Sequence, residues 1–281
     1  MARLGDGVVV IRGLSLLSAQ QHALVDRWDG QPVPARDAAT VAVLRDAAAG
    51  RETFLLRRRA TMAFAAGKYV FPGGSVQDSD FDPVPWIGPG PRTWAQRLSC
   101  REDLARALVV AAVREMFEET GLLLAGADGG AVTGETADLA ADRRSVESHQ
   151  VTFGALLRAR RLWLRADLLS PWAHWITPLF EPRRFDTRFF VAMLPPGQSV
   201  GVVTTESDHG EWITIERALA DVRGATMEMM RPTRHILRQL RAVGDRPVEE
   251  AAMGRTITTI EPRLVEINGV RYLDGPADEE Q

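Results

Sequence analysis

Arg114-Glu115-Met116-Phe117-Glu118-Glu119-Thr120-Gly121-Leu122 is the stretch whose reading decides the fold. The pattern around it is helical from residue 102 to residue 120. Gly121 stands where a left-handed C-cap ends such a helix. At about 100° per residue, Glu115, Glu118 and Glu119 fall at i, i+3 and i+4 and share one face. Val109, Val113, Met116 and Phe117 project from the other side and are expected to bury against a sheet. Taken alone, three stacked carboxylates describe a solvated acidic helix surface. The added Arg, Gly and two apolar residues at fixed spacing change that. A chance match in a chain of this length is on the order of one in ten thousand at ordinary residue frequencies. Hard divalent cations prefer oxygen ligands, so a three-carboxylate face suits Mg²⁺ or a similar ion.

Working outward, residues 40–44 and 53–56 are short apolar runs separated by Ala47-Ala48-Ala49-Gly50. They read as paired strands joined by a turn. Residues 68–71 form another short strand, stopped by Pro72-Gly73-Gly74. Residues 77–99 hold Pro83, Pro85, Pro89 and Pro91 with Gly88 and Gly90. They read as a long loop, functional or disordered. Residues 125–134 read as a second loop. Residues 136–165 read as largely helical, with a break and restart around 145–150. Residues 175–178 and 185–194 read as strands, and 216–223 and 233–242 as helices. Near the end, β-branched runs flank Asn268-Gly269, a strong hairpin signal.

The bulk composition narrows the function classes. The 34 basic and 37 acidic residues give a net charge of −3, against the basic excess of a bulk nucleic-acid binder. Cys100 is the single cysteine, which excludes an intramolecular disulfide and a cysteine zinc site, and suits a reducing, cytoplasmic setting. His22, His149, His174, His209 and His235 show no metal-binding spacing. Residues 1–17 are too short and too interrupted by Arg3, Asp6 and Arg12 for a membrane span or a signal peptide. Asp278-Glu279-Glu280-Gln281 reads as a frayed acidic tail.

Residues 114–122 resemble the second half of the Nudix box, R-E-apolar-x-E-E-x-G-apolar, without departure. Phe71-Pro72-Gly73-Gly74 resembles its opening. Asp80 stands where the box carries a Glu, and 33 residues separate it from Arg114, so the box is split by an insert. Asp80 is therefore given no role. An insertion at this point resembles the acyl-coenzyme A diphosphatase subgroup (Nudix motif 19). Arg184-Phe185-Asp186-Thr187 and the segment from Ser170 to Pro178 resemble that subgroup too. The general coenzyme A signature is only partly matched, by Arg59-Ala60 and Gly67, with Phe64 near the place of a second Arg.

The resemblance implies an α/β fold, the Nudix α/β/α sandwich with a mixed sheet and a loop-helix-loop box. Its expected organisation is an N-terminal extension at 1–39, a Nudix domain at 40–245 with an insert at about 75–101, and a C-terminal hairpin extension with the acidic tail at 246–281. By resemblance, Glu115, Glu118 and Glu119 hold Mg²⁺ or Mn²⁺, with the Gly74 carbonyl completing a site. Arg114 orients Glu115, and either Glu115 or Glu206 acts as general base. Arg59, Arg183, Arg184 and Arg188 are candidates for phosphate contacts, because Arg binds phosphate bidentately. Trp172, Trp175, His174, His209, Met227, Met229 and Met230 are read as packing or structural residues rather than chemistry. The implied reaction is hydrolysis of coenzyme A or acyl-coenzyme A to 3′,5′-ADP and the (acyl-)4′-phosphopantetheine. The alternatives are a pyrophosphatase for ADP-ribose, NADH or nucleotide sugars, and a non-catalytic nucleotide sensor. The expected partner is a small nucleotide-derived substrate, with no nucleic acid and no membrane. The C-terminal hairpin either caps the sheet edge or pairs with a second subunit in a homodimer.

Overall fold

The computed structural model describes residues 13–62, 65–128, 130–201 and 207–276. Glu206, Phe64, most of residues 1–17 and the acidic tail lie outside the described residues.

Eight strands form the main sheet: β1 (Arg36–Ala47), β2 (Gly50–Arg58), β3 (Tyr69–Val70), β4 (Gly73–Ser75), β5 (Ser170–Ile176), β6 (Phe185–Met193), β7 (Ser207–Thr214) and β8 (Thr259–Ile260). Their order is β7-β2-β1-β6-β5-β8, with β3 paired to β2 and β4 to β1. The sheet is mixed. β1 and β6 run parallel, as do β5 and β8, whereas β1/β2, β5/β6 and β2/β7 are antiparallel. The β1–β2 hairpin turns through Ala48 and Ala49, with Ala47 opposite Gly50, where the sequence places a turn.

Successive side chains of a strand point to opposite faces, and this alternation divides the core in two. Val41, Val43, Phe54, Leu56 and Phe190 bury on one face, against the helix α2 (Glu102–Thr120) and the shorter α1 (Pro91–Leu98) that precedes it. Ala42, Leu44, Leu55, Phe189 and Val191 bury on the other, against α5 (Ile215–Arg223) and α6 (Arg231–Val243). The α/β/α sandwich follows. Between the two helical sets in sequence come α3 (Ala140–Glu147) and α4 (Phe153–Ala159). Trp172, Trp175, Met227 and Met229 pack in the second core. Among the described residues no helix is long and apolar enough to cross a membrane.

Several sequence expectations are corrected in part. Residues 77–99 are not a bare loop. They hold a 3₁₀ turn at Asp78–Phe81, a short strand Trp86–Ile87 and α1. Gly90 is the N-cap of α1 and Pro91 its first residue, where the missing N–H of proline costs nothing. Trp94 then anchors α1 edge-on to Phe190, with ring centroids 5.9 Å apart. Residues 136–165 break, as expected, into α3 and α4, with the restart at Thr152, whose side chain accepts from the Ala155 N–H. They end in a strand, Trp163–Arg165, paired with Trp86–Ile87 and with Ala125–Gly126. Strand β5 begins at Ser170, five residues earlier than expected. The hairpin at Asn268-Gly269 forms as read, both residues having positive φ (52° and 77°). It does not cap the main sheet. It joins residues Leu14–Leu16 in a separate three-stranded sheet, and β8 is the strand at that edge of the main sheet.

Helix α2 is the piece that positions the site, and its burial sets its rigidity. Leu108 is fully buried. Leu108→Ala is expected to cost about 2–5 kcal/mol of unfolding free energy in urea titrations. Met253→Ala, at a residue 78% exposed, should stay within about 0.5 kcal/mol.

Candidate active site

Helix α2 ends at Gly121 (φ 77°), whose N–H bonds back to the Phe117 carbonyl. The last two turns carry Arg114, Glu115, Glu118 and Glu119. Arg114 and Asp80 are each only 1% exposed. The guanidinium meets the Asp80 carboxylate bidentately, Nε to Oδ1 and Nη2 to Oδ2, both at 2.9 Å. Nη2 also donates to the Ser75 carbonyl at 2.9 Å. Nη1 donates to Glu115 Oε1 at 2.8 Å and to Glu118 Oε1 at 3.2 Å. A guanidinium has five N–H donors, and these five bonds occupy them all. The 3₁₀ turn holds Asp80 in place, since Asp80 Oδ2 also accepts from the Gln77 N–H at 2.8 Å.

The glycines close the other side. The Gly73 N–H donates to Glu119 Oε2 at 2.8 Å. A Cβ added at Gly74 would lie 2.4 Å from Glu115 Oε1 and 2.7 Å from Oε2, so only glycine lets β4 approach this carboxylate. Glu118 and Glu119 are 8% and 6% exposed, so the acidic face is buried and screened by Arg114 rather than by solvent.

The electrostatics follow from this packing. Burial raises the Glu115 carboxyl to about 7, against the opposing pull of Arg114. Burial also raises Glu118 above the usual carboxylate range, again opposed by Arg114. For Arg114, burial works against the charge, but the bonds to Asp80 and the charges of Glu115 and Glu118 outweigh it and hold the guanidinium ionised. Among the described residues no three His, Cys, Asp or Glu side chains are grouped so as to hold a metal ion between them. The donor set nevertheless fits a hard cation. Glu115 lies against the Gly74 backbone, Glu118 shares the Arg114 guanidinium with it, and Glu119 bonds the Gly73 N–H; Mg²⁺ takes one or two carboxylates while keeping waters and substrate oxygens as its remaining ligands. A cavity of about 230 Å³ opens beside Arg114, lined by Gln77, Asp78 and Ser79 of the insert and by His149, Thr152 and Phe153.

The sequence-derived arginines separate into two kinds. Arg184 is buried, and its guanidinium is taken by the carbonyls of Thr177 and Val33 and by Glu261 at 2.6 Å. Arg188 is buried too, bonded to Asp186 and to the Leu98 carbonyl. Both hold the fold together, and neither presents an open fork to a phosphate. Arg183 is exposed. Arg59 is exposed and reaches the Ser207 carbonyl at 3.5 Å. His174 is structural, held between Asp186 at 2.5 Å and Thr259 at 2.7 Å. Asp80 carries a role that the sequence reading withheld. The signal was present, an acidic residue at the acidic position of the split box.

A buried arginine locked among helix carboxylates, on an α/β/α sandwich beside a Gly-Gly strand, defines a Nudix domain. A family model described as the NUDT19 Nudix domain matches residues 93–238, and the chain belongs to that family. It is 25% identical over 195 residues to putative nudix hydrolase 7 of Caenorhabditis elegans, covering 69% of this chain and 57% of the relative. It is 26% identical over 211 residues to the acyl-coenzyme A diphosphatase NUDT19 of Xenopus laevis, covering 61% and 55%. The chain thus spans about half the length of the curated relatives it matches. The crystal structure of a NUDIX hydrolase from Alicyclobacillus acidocaldarius superposes with a TM-score of 0.64 at 28% identity, over 80% of this chain and 98% of that one.

The raised Glu115 carboxyl gives a testable pH dependence. Its proton is held more tightly in the folded state than the ordinary value of 4.5 allows. The stability tied to that proton is therefore complete below about 4.5 and is lost as pH rises through about 7. In EDTA, the melting temperature of the wild type minus that of Glu115→Gln should fall across this window. A difference that stays flat with pH would contradict the buried, raised carboxyl.

Proposed function

We propose that this chain is a divalent-metal-dependent hydrolase of a diphosphate linkage, acting on coenzyme A or acyl-coenzyme A. The products are 3′,5′-ADP and the 4′-phosphopantetheine or its acyl form. The observation that carries the hydrolase reading is the set of helix carboxylates at the glycine strand, Glu115 and Glu118 held by Arg114 and Glu119 by the Gly73 N–H. Two matched relatives, from Xenopus laevis and Gallus gallus, are named acyl-coenzyme A diphosphatases, and this supports the substrate class.

Glu115, Glu118 and Glu119 would hold Mg²⁺ or Mn²⁺ with the Gly74 carbonyl, and the bound ion would neutralise the diphosphate charge and orient the attacking water. Arg114 keeps Glu115 and Glu118 fixed through their Oε1 atoms, which leaves each Oε2 unengaged by that guanidinium. Glu115 is then one candidate proton acceptor. The water oxygen bonds to phosphorus, the bridging P–O bond breaks, and the water proton passes to the carboxylate. Glu206 remains a second candidate base. Arg59 and Arg183, the two exposed arginines of the sequence reading, are proposed phosphate contacts.

The test is product analysis with Mg²⁺ or Mn²⁺ on coenzyme A, an acyl-coenzyme A, dephospho-coenzyme A, ADP-ribose and NADH. Release of 3′,5′-ADP from the coenzyme A compounds is expected, with Glu118→Gln reducing the rate by about 100-fold or more, at or beyond the upper end of what outer-shell changes cost metal sites. Faster cleavage of ADP-ribose or NADH would overturn the substrate assignment. Nucleotide binding without turnover would favour a sensor.

A further inference from the structure

Helix α3 lies against the end of α2 and brings Arg143 to it. Arg143 Nε donates to the Glu118 carbonyl at 2.8 Å, capping the negative end of the helix that carries the carboxylates. The rest of its guanidinium lies over two glycines. A Cβ at Gly121 would meet Nη1 at 3.3 Å, and one at Gly201 would meet it at 3.0 Å. The slot is held shut on one side, because the Gly201 N–H donates to the Thr120 carbonyl at 2.8 Å.

The cap uses one donor of five. Among the described residues no carboxylate lies within ion-pair distance of Arg143, and its Nη atoms have no hydrogen-bond partner. Glu147, one turn along α3, acts on it through its charge without an ion pair. Glu118 Oε1 is bonded to Arg114, and Glu119 Oε2 to the Gly73 N–H. The side chain is half-buried, yet the Nη atoms are not among the sealed, unsatisfied ones, so they reach solvent. Solvent-facing Nη donors at this place are open to an incoming anion, which a guanidinium binds with charge-assisted hydrogen bonds. Arg143 sits where the carboxylate-bearing helix ends, against Gly121 and Gly201.

We propose that Arg143 is a substrate-binding residue, whose free guanidinium edge contacts a phosphoryl oxygen of the diphosphate. This rests on the proposed hydrolase reading. It assigns to α3 the charge that sequence reasoning sought in Arg184 and Arg188, which the fold consumes.

The probe is α,β-methylene-ADP, a diphosphate that resists hydrolysis at its bridging position. Its affinity is measured calorimetrically with saturating Mn²⁺ for the wild type, Arg143→Lys and Arg143→Gln, alongside melting temperatures and steady-state kinetics. Arg143→Gln is expected to weaken probe binding by about tenfold or more, with Arg143→Lys recovering part of it, as for a charge-assisted contact. Added KCl should weaken wild-type binding more steeply than Arg143→Gln binding, and in turnover KM should rise more than kcat falls. Wild-type affinity in Arg143→Gln, with only a lowered melting temperature, would reduce Arg143 to a helix cap and overturn the proposal. So would failure of the wild-type protein to bind the probe. Tight probe binding that depends on Arg143, without turnover of any substrate, would overturn the hydrolase reading and leave this contact standing.

Discussion

A guanidinium buried to 1% exposure has to place every N–H on an acceptor, and the arrangement around Arg114 follows from that constraint. Burying the charge is costly unless it is paired and hydrogen-bonded. Asp80 supplies the bidentate partner, Ser75 a carbonyl, and Glu115 and Glu118 one oxygen each. These acceptors come from three parts of the chain: strand β4, the 3₁₀ turn of the insert, and α2 itself. One side chain therefore ties together two halves of a motif that the sequence separates by 33 residues. It also holds two carboxylates in fixed rotamers while a third is fixed from the glycine side by the Gly73 N–H.

The insert gains meaning from the same bond. Once Asp80 is held, the following chain cannot wander. It packs Trp94 on Phe190 and sends α1 under the sheet-facing side of α2. The segment that splits the box thus also supports it. Gln77, Asp78 and Ser79 form one wall of the cavity beside Arg114, and the α3–α4 junction around His149 and Thr152 forms the other. That cavity is bounded by two pieces of chain that both lie outside the sheet and its main helices.

What the sequence showed, and what it hid, follows from the range of the interactions. Helix α2, its carboxylate face, the Gly121 cap and the Gly73-Gly74 approach were legible, because each is a local pattern of period or turn. The β1–β2 hairpin and the Asn268-Gly269 turn were legible for the same reason. The insert was misread because Pro and Gly punctuate helix starts as readily as loops. Only Trp94, through a contact about a hundred residues away in sequence, distinguishes the two. Arg184 and Arg188 looked like phosphate ligands, because a strand pattern cannot show that Glu261, Asp186 and the carbonyls of Val33 and Leu98 will claim them. Asp80 was visible but unassigned, since its partner depends on how far the insert folds back. Arg143 gave no signal at all, as its place is set by how α3 packs on the end of α2.

The central claim is that Asp80 sets the proposed metal site indirectly, by anchoring the Arg114 guanidinium that holds Glu115 and Glu118. The direct measurement is Mn²⁺ affinity, read from the free-ion signal in electron paramagnetic resonance, for the wild type, Asp80→Asn and the exposed neighbour control Asp78→Asn. Asp80→Asn should weaken Mn²⁺ binding by about 10–100-fold, the range that outer-shell partners of metal ligands command, and Asp78→Asn should leave it unchanged. Equal affinity in all three proteins would contradict the account.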